Sequence, residues 1–124
     1  MEESTKKYFQ AYNDFLMEYK KGYTDGERIG EVIATFAQYF AMANADYANA
    51  SIAFNKVASA IEQTDGDNGK PISSAKAKIL SEATEEYSRV IETKARVENV
   101  EQMLNALKSF QKGIMVEWRN GNVS

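Results

Sequence analysis

The sequence predicts an all-α fold: a long antiparallel helical hairpin with a short N-terminal helix, packed as a bundle or coiled-coil-like assembly that oligomerises. Three observations carry this. Ile29, Ile33, Phe36, Phe40, Ala43, Tyr47, Ala50, Phe54, Val57 and Ile61 step by four and three residues without a slip, which is the seam of a left-handed helix pairing. Residues that break helices cluster in one stretch, Thr64 to Ile72, which holds the only proline, Pro71, so the chain doubles back once. A second line, Ala34, Ala37, Ala41, Ala45, Ala48 and Ile52, repeats the spacing on another face of the same helix.

The first element spans about Thr5 to Lys21. Tyr8, Phe9, Tyr12, Phe15, Leu16 and Tyr19 form one aromatic face, while Lys6, Lys7, Asn13, Asp14, Glu18 and Lys20 take the other. Gly22 after Lys20 and Lys21 predicts a left-handed cap with cations at the negative end of the helix dipole. Thr24 and Glu27 have the spacing of a capping box for the second helix, with Tyr23 placed to pack back on its first turn. That helix runs from about Asp25 to Gln63. Two readings of its second line stay open. Either the first and last helices share its two faces, or another subunit covers the alanines, which permit close helix approach.

The turn, residues 64–72, fails as a calcium loop. Lys70 and Lys76 stand where such a loop needs glycine and a bidentate glutamate. A last helix is predicted from about Ser73 to Trp118, capped by Ser73 or Ser74. Its core line is Leu80, Ala83, Tyr87, Val90 with Ile91, Val97, Val100, Leu104, Leu107, Phe110, Ile114 and Trp118, and residues 119–124 read as a frayed tail. All of this forms one domain over residues 1–124.

Composition narrows the chemistry. The 124 residues contain no cysteine and no histidine, which removes disulfides, thiolate and imidazole catalysis, and the usual zinc sites. The net charge of -3 gives no general attraction to polyanions. The polar start, Met1 to Lys7, and the interruptions at Gln38, Asn44, Asp46 and Asn49 argue against a signal peptide and a membrane span. A soluble cytoplasmic protein is expected. One enzyme template remains, the all-α pyrophosphohydrolase with paired acidic motifs around magnesium. Glu82 with Glu85 and Glu98 with Glu101 have the spacing but lie too far apart along one helix to share a metal. Such glutamates more often pair with cations like Lys78, Arg89, Lys94 and Arg96 on a solvated face. No catalytic residue, metal or cofactor is therefore assigned.

Basic residues fall in three groups: Lys70, Lys76 and Lys78 around the turn, with Lys56 nearby; Lys108, Lys112 and Arg119; and Lys20, Lys21 and Arg28. Repeated around an oligomer, such groups could bind a polyanion. Individually they also serve as solubilising charges.

The order of parts resembles the small helical proteins of phage replication and recombination modules, in particular phage recombination mediators of the T4 type. It rests on the alanine-rich helix, the turn Thr64-Asp65-Gly66-Asp67-Asn68-Gly69, the lysine-rich restart, and a final helix with Val97, Leu104, Leu107, Lys112 and Arg119. The resemblance implies a ring-forming, non-enzymatic protein that binds single-stranded DNA, remodels single-strand-binding protein and helps load a RecA-like recombinase. It implies nucleic-acid contacts at Lys56, Lys70, Lys76 and Lys78. The competing expectation is a protein-binding module, such as an inhibitor of a host defence protein or a virion assembly factor.

Overall fold

The computed structural model describes the backbone of residues 3–66 and 69–123 and the side chains of residues 5–66 and 69–116. The chain is all-α, a helical hairpin bundle, with α1 (Glu3–Lys20), α2 (Gly26–Glu62), α3 (Ser74–Glu82) and α4 (Glu85–Val123). Packing divides it into two compact units, residues 1–42 with 98–124, and residues 43–97.

In the first unit the aromatic face of α1 docks as its spacing predicts. Tyr8 packs on Tyr39 at 4.9 Å between ring centroids and Tyr12 on Phe36 at 6.1 Å, so α1 runs antiparallel to α2. Phe15 and Tyr19 both meet Phe110 of α4. The core joins Tyr8 and Phe15 to Ile29, Val32 and Phe36 of α2 and to Val100, Met103, Leu104 and Leu107 of α4. Full burial of each such aliphatic or aromatic side chain contributes about 1.5–3 kcal/mol before entropy is counted.

The α1–α2 turn combines a C-cap and an N-cap. Gly22 has φ +80°, its N–H donates to Tyr19 O, and the Tyr23 N–H reaches Glu18 O. These are the paired bonds of a Schellman ending, in which glycine alone avoids strain. The α2 cap corrects the sequence reading. Asp25, rather than Thr24, accepts from Arg28 N at 2.8 Å, and Thr24 Oγ1 is buried without a partner. Tyr23 does not pack back either; it is 75% exposed. Asp outranks Thr as a cap, and with Asp25 as cap the third helical position holds Arg28, which bonds Glu18 of α1 at 2.8 Å.

In the second unit Asp46 pairs with Arg96 and Phe54 with Tyr87, so α2 and α4 are antiparallel here as well. Its buried apolar residues are Ala43, Ala50 and Ala77, joined by Ser81, Thr93 and Arg96. Buried hydroxyls need partners. Thr93 Oγ1 donates back to Arg89 O at 2.7 Å, with Val90 O at 3.1 Å, and Ser81 Oγ donates to Lys78 O.

The single last helix expected from the sequence is two. Ser73 caps α3 by accepting from Lys76 N, and α3 ends at Ala83. Thr84 then starts α4. Its Oγ1 accepts from Tyr87 N at 3.2 Å and donates to Ser81 O, and Ser88 N donates to Thr84 O. Hydroxyl side chains here compete with the helix ladder, and Glu85 and Glu86 favour a new N-terminus. The break re-phases the core line, leaving Leu80, Ala83 and Ile91 exposed and burying Thr93, Arg96 and Met103 instead. At the other end α4 continues to Val123, so the backbone of 119–123 is helical, while the side chains of Trp118 and Arg119 lie outside the described residues.

Candidate functional site

Backbone hydrogen bonds close the turn between α2 and α3. Ile72 N donates to Thr64 O and Gly66 N to Lys70 O, while Gly69, at φ +76°, donates to Gly66 O. Asp67 and Asn68, part of the turn motif, lie outside the described residues. Ser73 then fixes the first turn of α3, which carries Lys76 and no acidic residue. Exposed Lys70, Lys76 and Lys78 thus occur within one turn-and-helix segment, and exposed Lys56 lies on α2 of the same unit. Between Asp67 and Glu82 the chain has three lysines and no acid. Cations beside a helix N-terminus lacking carboxylates create a local positive field on an acidic chain. Against this, Lys56 is the only cation from Ser51 to Gln63.

The other basic groups belong to the first unit. The Tyr19–Phe110 contact, 4.7 Å between centroids, sets the end of α1, with Lys20 and Lys21, beside the α4 segment carrying Lys108 and Lys112. Those four lysines are exposed. Arg28 leaves the group, because it is engaged by Glu18 and Glu31. The Glu18 hydrogen bond chiefly raises its pKa.

The second line of α2 lies bare. Ala34, Ala37, Ala41, Ala45, Ala48 and Ile52 are all exposed, because α1 and α4 both pack on the main seam. The reading in which the chain's own helices cover both faces therefore fails for the described residues.

Sequence reasoning missed an open cleft of about 430 Å³ in the first unit, lined by Phe9, Tyr12, Asn13, Asn99, Gln102 and Met103. Amides spaced across two distant helices leave no local motif to find. Its one titratable side chain, Tyr12, has its pKa raised by burial, so its hydroxyl stays protonated at neutral pH. Among the described residues no three His, Cys, Asp or Glu side chains are placed to hold a metal, and no helix is long and apolar enough to cross a membrane. Glu82 and Glu85 fall on opposite sides of the α3–α4 break. Arg96, expected among cations pairing with glutamates, is instead buried against Asp46. No known protein family, curated protein or solved structure matches the chain.

Proposed function

We propose that this is a non-enzymatic, homo-oligomeric accessory protein that acts by binding single-stranded DNA, in the manner of a phage recombination mediator. In this reading it works alongside single-strand-binding protein and helps to load a RecA-like recombinase. The observation that carries it is the acid-free segment bearing Lys70, Lys76 and Lys78 around the N-terminus of α3. Lys56 adds to it from α2. Phosphates would replace counterions on these lysines, so affinity should depend on salt.

The test is fluorescence anisotropy with labelled oligodeoxythymidine across a salt series. Three or four phosphate contacts per subunit predict a slope of log K against log salt of roughly -2 to -3 per subunit engaged. Replacing Lys70, Lys76 and Lys78 by alanine should abolish most of that slope. Absence of binding at low salt would sink the DNA reading.

The second reading, a protein-binding module, draws on a different observation. Ile79, Leu80 and Ile91 of the second unit are 69%, 43% and 53% exposed, which is a large apolar display for so small a unit. Salt-insensitive association of the chain with a protein, lost on replacing Ile79 and Leu80 by serine, would favour it.

A further inference from the structure

α2 is one unbroken helix whose outer face is free of charge over much of its length. Between Glu31 and Lys56 the only charged residue is Asp46, and Asp46 is engaged by Arg96. The exposed residues on that face include Ala34, Ala37, Ala41, Ala45, Ala48 and Ile52. From Glu31 to Lys56 the strip is about 38 Å long. We propose that a second copy of this chain covers it, with the two α2 helices antiparallel about a dyad passing between Ala43 and Asn44. The proposal rests on the homo-oligomer part of the reading above and adds direction and register.

Charge complementarity fixes the arrangement. At about 100° per residue, Glu31, Gln38, Asn49 and Lys56 fall within about 20° of one another, on a single flank of the alanine line. A dyad perpendicular to both helices keeps this flank on one side of the pair and reverses its direction. Glu31 then stands opposite the partner's Lys56, and Gln38 opposite the partner's Asn49. Both matches occur twice in the dimer. A parallel pair would instead put the two copies of this flank on opposite sides of the contact, so that neither match could form. The alanines let the helices approach to about 8 Å. A strip of this length buries on the order of 1,000 Å² in total, near the lower bound for a specific interface. Lys56 then faces the partner, so this register assigns nucleic acid to Lys70, Lys76 and Lys78 alone, in place of the set that included Lys56.

The chain has no cysteine, so engineered thiols report without background. Light scattering of the whole chain at high micromolar concentration should give twice its 13.9 kDa mass or a multiple of that. Under oxidation the Gln38→Cys/Asn49→Cys variant should form a covalent dimer, its bridge mapped between positions 38 and 49, while Gln38→Cys alone stays uncrosslinked. Glu31→Lys and Lys56→Glu should each weaken association about tenfold or more, and the double charge swap should restore it. Helical circular dichroism of the five variants controls for folding. A monomer would overturn both this inference and the oligomer part of the functional reading. An oligomer without the 38–49 bridge, with self-crosslinking at 38, or without rescue by the charge swap would overturn the register while oligomerisation stands. Loss of DNA binding alone would bear only on the nucleic-acid reading.

Discussion

Arg96 of α4, 5% exposed, places Nη1 3.3 Å from Asp46 Oδ2 of α2. Between Val32 and Asn55, Asp46 is the only charge on α2, and it is spent on this contact. A buried guanidinium loses hydration and recovers it only through such partners. The pair therefore reports on how α2 and α4 are matched within the second unit.

Replacing Asp46 by alanine should destabilise the chain by about 1–3 kcal/mol, less than for a fully buried pair because Asp46 is partly open to water. Asp46→Asn should cost less, since its amide oxygen still accepts. Asp46→Ala with Arg96→Met should recover part of the loss. Urea denaturation midpoints measure all three, and an unchanged midpoint for Asp46→Ala would contradict the assignment.

The α2 cap separates two adjacent residues. Asp25→Ala should cost about 1 kcal/mol by removing the acceptor for Arg28 N. Thr24→Val should be neutral or stabilising, because Thr24 Oγ1 is buried without a partner. The reverse ranking in thermal melts would restore the capping-box reading.

At the α3–α4 break, Thr84→Ala removes an acceptor for Tyr87 N and should cost about 1 kcal/mol. Thr84→Ser, which keeps the hydroxyl, should retain most of the stability. Equal losses in both variants, read from chemical denaturation, would mean that the hydroxyl is not the cap.

Two glycines should respond with opposite sign. Gly22→Ala places a Cβ at φ +80° and should destabilise by about 1 kcal/mol or more. Gly113 lies within α4 with open space around its Cα, so Gly113→Ala should stabilise by up to about 1 kcal/mol. Differential scanning calorimetry gives both signs.

Burial raises the Tyr12 pKa above its ordinary 10.0, and Glu18 raises that of Arg28. Both folded values exceed the unfolded ones, so each contribution is complete below the unfolded pKa and fades as pH rises through the folded one. Without histidine, stability should stay nearly level from about pH 6 to 9 and fall above about pH 10. Tyr12→Phe should soften the alkaline fall in pH-dependent denaturation. An unaltered profile would remove Tyr12 as its cause.

The seam of α2 was readable because every residue from Ile29 to Ile61 on it is apolar or small, and each one is buried or half-buried. Gly22 was readable because a single conformation explains a glycine after two lysines. The break at Thr84 was present as Ser81, Thr84 and two following glutamates, but no glycine or proline drew attention to it. Thr93 and Arg96 were hidden for a different reason. Their polarity disqualifies them from an apolar pattern, and backbone carbonyls, for Thr93, and Asp46, for Arg96, help to make their burial tolerable. Of the candidate sites, the lysine segment and the bare line of α2 followed from spacing, whereas the amide-lined cleft depends on α1 meeting α4.

The uneven distribution of rings gives the molecule two optical reporters. Five of its seven tyrosines and five of its six phenylalanines belong to the unit formed by residues 1–42 and 98–124, whereas the fully buried apolar residues of 43–97 are alanines, beside the Phe54–Tyr87 contact. Near-ultraviolet dichroism therefore follows mainly the aromatic unit, while the far-ultraviolet amide signal follows both. On heating, the alanine-rich unit, with less apolar burial to hold it, should unwind first. Amide ellipticity should then begin to decline while the tyrosine bands are still intact.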